Sequence, residues 1–329
     1  MKQPLVIITG PTAVGKTALS VQLAKDLNGE VISADSMQVY RFMDIGSAKV
    51  TEGEKKGVPH HLIDVLDPWE AFNVARFQVM AKQAMEGIYG RGHLPVAVGG
   101  TGFYLQALIY DVDFKENNSG AAVRQELEEL GESKGNGYLH QMLQGLDPEA
   151  ASQIHANNRK RIIRAIEYFR LTGQPISEHN RQEREKTSPY RFYYYVLDCP
   201  RAQLYGRIDR RVDRMVEAGL VKEVQKLKEM GCHRGMASMQ GLGYKEVLDY
   251  LEGKHSQEEA IRILKRDTRH FAKRQLTWFR RERDVRWIEL EDFGYDMEKV
   301  RGHILEDFRR GEEAAQRVSA GAYKEKTGG

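Results

Sequence analysis

The segment "GPTAVGKT", residues 10–17, constrains this chain more than any other feature, and it follows directly on the apolar run "LVII". Glycines at a strand-to-helix turn let successive backbone N–H groups point into one concavity, and the helix that follows aims its positive end at the same spot. Gly10, Thr12, Ala13, Val14, Gly15, Lys16 and Thr17 therefore read as a phosphate-binding cradle. Lys16 adds a full positive charge, and the Thr17 hydroxyl is placed to hold Mg²⁺. Leu19, Leu23 and Leu27 follow at helical spacing, so the motif has a strand before it and a helix after it. An ordinary glycine-rich turn is the bland alternative, and this context disfavours it. The motif leaves open whether the bound phosphate is transferred or merely leaves.

At 329 residues and 41% hydrophobic, the chain is long enough for one large domain or two modest ones. It has no run of 18 apolar residues, so no membrane span is expected, and its first apolar run feeds the cradle rather than a signal peptide. The only cysteines, Cys199 and Cys232, lack CxxC spacing, which supports neither a zinc site nor a disulfide. Residues 1–113 hold 10 Lys/Arg and 12 Asp/Glu, a balance of −2, so the remainder carries +5 of the net +3. Residues 262–286 hold 10 Lys/Arg against 3 acids, and 159–170 is another basic stripe. Such stripes suit a polyanion such as nucleic acid; a solvated helix face is the plainer reading.

Strand-like runs lie at 4–9, 30–35, 94–100, 191–198 and 285–290, with helical patterns between them. This predicts an α/β fold with a parallel sheet covered by helices on both faces, its ligands held at the C-terminal strand ends. The polar stretches "KENNSG" (115–120) and "EREKTSPY" (183–190) bracket helical patterns and read as hinges. The expected organisation is a core from 1–113 and 191–312, a helical insertion at 114–190, and a frayed tail at 313–329.

Asp35 ends the second apolar run. It is a candidate Mg²⁺ ligand, a candidate proton acceptor, or a cap or turn residue beside Ser36. Gly99, Gly100 and Gly102 flank Thr101, which predicts either close approach to a ligand or a tight turn. His60 and His61 are adjacent and face opposite ways on a strand, so a structural role is favoured over a metal site. In 205–220, Arg207, Arg211 and Arg214 share a helix face that reaches a phosphate or faces solvent. In 269–290, Phe271, Trp278, Phe279 and Trp287 read as core, with cations on the other face.

Together "GPTAVGKT", "ISADSMQVYRFMDIGSAK", "PHHLIDVLDP", "GGTGFYL", "NNRKRIIRAIE", "GLGYKEVLDYLEG" and "FAKRQLTWFR" resemble the tRNA dimethylallyltransferases, or tRNA isopentenyltransferases, of bacterial type. The match spans about residues 5–290. The resemblance implies a P-loop kinase-like core with a small all-helical insertion domain. It implies transfer of a dimethylallyl group from dimethylallyl diphosphate to N6 of the adenosine 3′ to the anticodon, in tRNAs reading codons that begin with U. The cradle then holds a diphosphate that leaves. Asp35 matches the general base, and Thr101 and Arg207 match contacts to the diphosphate and its bridging oxygen. Asp35, Ser36, Met37, Gln38 and Thr101 match the base-reading set, and Arg124, Lys160, Arg161 and Arg164 match residues gripping the anticodon stem-loop. Mg²⁺ is the implied cofactor, and a cytoplasmic monomer is expected. Met37 stands where many members carry Arg, and Phe42 where Gly is common. The competing readings are an ATP-dependent small-molecule kinase and a nucleic-acid-binding NTPase.

Overall fold

The computed structural model describes residues 2–114 and 120–327. In chain order its elements are β1 (Pro4–Thr9), α1 (Lys16–Asp26), β2 (Gly29–Ser33), α2 (Glu52–Lys55), β3 (His60–His61), α3 (Val74–Gly90), β4 (Leu94–Gly99) and α4 (Gly102–Ile109). Then come α5 (Gly120–Leu146), α6 (Pro148–Gln153), α7 (Arg159–Thr172), α8 (Ile176–Glu185), β5 (Arg191–Asp198), α9 (Arg201–Glu217) and α10 (Leu220–Glu229). The chain ends with α11 (Tyr244–Leu251), α12 (Gln257–Phe279), β6 (Val285–Glu289) and α13 (Met297–Thr327). It divides into two compact units: Met1–Ile109 with Pro189–Gly329, and Tyr110–Ser188.

The first unit is built on a six-stranded, all-parallel sheet in the order β3-β2-β4-β1-β5-β6. Leu5, Val6, Ile7 and Ile8 are all fully buried, as expected for a central strand covered on both faces. Val6 and Ile8 pack with Leu19 and Leu23 of α1, Leu204 and Ile208 of α9, and Val300 and Ile304 of α13. The register pairs Thr9 with Gly99 and with Val196, and Ser33 with Val98. The loops after β1, β2 and β4 therefore open on one edge.

The five strands legible as apolar runs are present, with β2 ending two residues before Asp35. β3 is an addition of only two residues, too short for an alternation to show. Its histidines diverge: His61 Nε2 donates to Glu30 at 2.6 Å, and His60 Nδ1 to the Val58 carbonyl at 2.8 Å. Glu30, buried beneath them, also accepts from both Arg91 Nε and Nη2 and from His93. The stretch 313–329, expected as a frayed tail, continues α13 as far as Thr327, and its last two residues lie outside the described ones. Glu312 of this helix accepts from Arg191 and Tyr193 and so fastens it to β5.

The regular elements described in the second unit are all helices. α5 holds two helical stretches meeting at Gly135, where φ is 83°. Leu127, Leu139, Leu143, Ile162, Ile163 and Ile166 form its core. Asp147 caps α6 through Ala150 N and also accepts from the Ser177 hydroxyl. The unit runs four residues earlier than the expected insertion, because α4 stops at Ile109. Most of the expected hinge at 115–120 lies outside the described residues. In the other, Glu183–Glu185 complete α8 before the chain straightens.

Candidate active site

β1 delivers Thr9 to the sheet edge, where the chain must turn sharply past β5. Gly10 has φ +140°, and a Cβ on it would collide with the Leu197 carbonyl, so no other residue fits. Ala13 (φ 66°) and Gly15 (φ 112°) complete the turn, and α1 begins at Lys16. The loop and the α1 N-terminus border a cavity of about 500 Å³ lined by Thr12, Ala13, Gly15, Lys16 and Thr17. Thr17 is exposed, and its hydroxyl has no protein partner among the described residues.

Cations gather on this cavity. Lys16 Nζ donates to the Gly10 and Pro11 carbonyls at 2.9 and 2.8 Å. Burial, with help from the nearby Arg211 charge, brings its ammonium down to about 7, against the pull of Asp35. α9 buries Leu204, Ile208 and Val212 on one face. It turns Arg207, Arg210, Arg211 and Arg214 onto the cavity. Arg207 Nη1 donates to the Val14 carbonyl at 3.2 Å, so this arginine bears on the loop itself. Burial lowers the Arg211 guanidinium, and Asp35 opposes that shift. Six cations on this lining face only Asp35 and Glu54, which leaves a site short of negative charge and suited to a polyanion.

Asp35 also lines the cavity, and one of its oxygens is in use: Oδ1 accepts from Met37 N at 2.8 Å, an Asx turn. The turn reading of this residue is thus realised, while its second oxygen is uncommitted. Gln38 shares the lining, its Oε1 accepting from the Ser33 hydroxyl and its Nε2 facing the Ser47 and Ala48 carbonyls. Ser36 and Met37 are not on the lining; the Met37 sulfur sits where a Cβ on Gly241 would have to go. Phe42 is exposed in the left-handed region at φ 66°, with Lys226 over its ring. That conformation explains why glycine suits this position.

Gly99 and Gly100 line the cavity, but Thr101 does not; its carbonyl starts α4 by accepting from Tyr104 N and Leu105 N. The protein itself crowds each of the glycines around Thr101. Added Cβ atoms would strike the Ala34 carbonyl at Gly99, the Gln275 amide at Gly100 and the Trp278 ring at Gly102. Two residues have no local sequence signal. Gln275 of α12 bonds both Thr12 N and the Gly100 carbonyl. Glu223 of α10 accepts from Asp44 N, Ile45 N, Gly46 N and the Tyr244 hydroxyl.

Within the helical unit, Lys160, Arg161 and Arg164 line a groove of about 310 Å³ together with Arg181 and Arg184. Arg124 is not on that groove; with Arg164 it holds the buried Glu167, at 2.7 and 3.2 Å. No described cluster of three His, Cys, Asp or Glu side chains suits a metal ion. No described helix is long and apolar enough to cross a membrane.

Residues 38–282 match the family model described as IPP transferase, and residues 3–65 match the model described as Isopentenyl transferase. A tRNA dimethylallyltransferase of Lachnoclostridium phytofermentans is 60% identical over 89% of this chain and 94% of its own length. One from Carboxydothermus hydrogenoformans is 51% identical over 88% and 93%. The crystal structure of a tRNA isopentenylpyrophosphate transferase from Bacillus halodurans is 46% identical, with a TM-score of 0.71, covering 96% of this chain and all of that one. A eukaryotic dimethylallyltransferase captured acting on tRNA is 31% identical with a TM-score of 0.74, over 87% of this chain and 74% of that one.

Proposed function

The chain belongs to the tRNA dimethylallyltransferase family, and from that premise we propose how its own residues carry the reaction. Dimethylallyl diphosphate is the donor, and N6 of the adenosine 3′ to the anticodon is the acceptor, in tRNAs reading codons that begin with U. The observation that carries this reading is the wall of cations around the Gly10-to-Thr17 loop, with the Asp35 carboxylate on the same cavity.

The bond that breaks joins the allylic C1 to a diphosphate oxygen, and its electrons leave with the diphosphate. The loop amides, Lys16 and Arg207 stabilise that developing negative charge. The bond that forms joins C1 to N6. The adenine amine is a poor nucleophile because its lone pair is delocalised into the ring. Asp35 accepts the N6 proton through its uncommitted oxygen as the bond forms. Gln38, held at both ends of its amide, presents a fixed edge to the base. The base has to leave its stack to reach the cavity. Thr101 acts from the loop beside Gly100, through contacts made when the donor is bound.

The donor set fits Mg²⁺, which takes one or two protein oxygens and fills the rest of its shell with phosphate oxygens and water. The unpartnered Thr17 hydroxyl is the protein oxygen in position. When bound, the ion supplies charge neutralisation on the leaving diphosphate. On the helical unit, Lys160, Arg161 and Arg164 contact the RNA backbone and set its register rather than its sequence. Arg124 supports them through Glu167. The protein works in the cytoplasm as a monomer.

The deciding experiment incubates the protein with unmodified tRNA, dimethylallyl diphosphate and Mg²⁺, then digests the tRNA and measures nucleoside masses. A prenyl increment on the adenosine beside the anticodon is expected. No increment, together with ATP-dependent phosphorylation of a small hydroxyl compound, would overturn the reading.

A further inference from the structure

Gln275 stands between the two loops that wall the cradle. Its Oε1 accepts from Thr12 N at 2.9 Å, and its Nε2 donates to the Gly100 carbonyl at 2.9 Å. The side chain is buried, and a Cβ on Gly100 would leave no room for it. It lines the same cavity as Lys16 and Asp35.

Pro11 has no N–H, so Thr12 offers the first amide of the loop beyond Gly10. An amide that donates to a protein oxygen is withdrawn from a phosphate oxygen. The gap between Thr12 and Gly100 is filled by the same side chain. A row of phosphoryl groups laid along the loop from the α1 N-terminus therefore runs out of donors and of room at Thr12.

We propose that Gln275 is a specificity-determining residue that closes the Thr12 end of the cradle and limits it to a diphosphate. The proposal deepens the function argued above and rests on the reading of residues 10–17 as a phosphate cradle. Loops of this type hold nucleoside triphosphates in other folds. Here one neutral side chain removes a donor that a third phosphoryl group needs and brings no charge in its place.

The test uses inorganic diphosphate and inorganic triphosphate, titrated calorimetrically against the full chain at fixed free Mg²⁺ and pH 8. The wild type is expected to bind diphosphate more tightly than triphosphate, despite the greater charge of the latter. Gln275→Ala is expected to shift that ratio toward triphosphate by about tenfold, the worth of one hydrogen bond to a charged acceptor. Gln275→Ser serves as a second truncation if the alanine variant does not fold. Gln275→Glu keeps an acceptor for Thr12 N and sets a carboxylate where a third phosphoryl group would lie, so it should weaken triphosphate at least as much as diphosphate; a ratio moved toward triphosphate in this variant would count against the proposal. Equal affinities in the wild type, or truncations that weaken both ligands alike, overturn the proposal. Failure of the wild type to bind either anion overturns the cradle and the proposal with it. Tight diphosphate binding with an unmoved ratio in the truncations overturns the Gln275 role alone.

Discussion

The Tyr244 hydroxyl donates to Glu223 Oε1 at 2.9 Å, and both side chains are turned on the backbone of residues 44–47. Glu223 accepts from three consecutive amides there, and Tyr244 accepts from Ser47 N. The Ser47 and Ala48 carbonyls in turn face the Gln38 amide. Glu223 thus supports the segment that fixes Gln38 without lining the cavity itself.

Glu223→Ala should leave three amides and a buried phenol without their acceptor. Hydrogen bonds to a charged group are worth about 1.5–3 kcal/mol each, and neighbours are not additive, so a loss of roughly 3 kcal/mol is expected. Glu223→Gln should lose less, because it keeps one acceptor oxygen. Thermal unfolding of the three proteins checks the order; an alanine variant as stable as the wild type would remove the role.

Lys16 links donor binding to pH. With its ammonium brought down to about 7, the free site holds a partly neutral lysine near neutral pH. A bound diphosphate favours the charged form and raises that value. Below 7 the lysine is already charged and affinity is insensitive to it. Above 7, affinity should fall by about tenfold per pH unit until the bound-state value is reached. Donor affinity from pH 7.5 to 9.5, with Lys16→Met as reference for the donor's own ionisation, measures the slope. Parallel curves for the two proteins would contradict it.

Asp35→Ala decides between a proton acceptor and a metal ligand. As proton acceptor, its loss should slow single turnover by about 10²–10⁴-fold, with tRNA and donor affinity within a few-fold of wild type. Mg²⁺ dependence should not move. Recovery of the rate at high Mg²⁺ would assign the carboxylate to the metal instead.

On the helical unit, Arg161→Ala should weaken tRNA binding and lower the slope of log affinity against log salt by about 0.7–0.9, one phosphate contact. Donor affinity should stay the same. An unchanged salt slope would take Arg161 off the RNA.

Phe42→Gly should leave stability within about 1 kcal/mol of wild type, because relief of the left-handed strain offsets the partly covered ring that is lost. A side chain in the left-handed region costs about 1–2 kcal/mol, and the added freedom of glycine in the unfolded chain returns part of this. The lost contact with Lys226 is exposed and small. Melting temperature is the readout, and a fall of several degrees would refute the strain.

Much of this architecture is legible in the sequence where a signal is local. The cradle announces itself in eight consecutive residues, and five strands stand out as apolar runs between helical patterns. The face of α9 bearing Arg207, Arg211 and Arg214 follows from its spacing, and the structure adds Arg210. The long-range partners are silent. Gln275 lies 263 residues from Thr12, and Glu223 lies 177 to 179 from the amides it holds. Glutamine and glutamate on amphipathic helices look like surface until the tertiary fold brings them inward. The glycines around Thr101 were ambiguous for a related reason. A glycine shows that something comes close, and here that something is Ala34, Gln275 and Trp278.

The order of strands has a consequence for the chain while it is being made. β1 lies between β4 and β5, and its Leu5 pairs with Phe192, 187 residues later in synthesis. At about 5–20 residues per second, the ribosome needs roughly 10–40 s to supply that partner. Throughout this interval the strand that leads into the phosphate loop has an open edge of unpaired amides and the apolar residues 5–8 beside it. The nascent amino-terminal half thus presents an unpaired apolar edge until β5 emerges, and slow synthesis across the helical unit lengthens its exposure to aggregation.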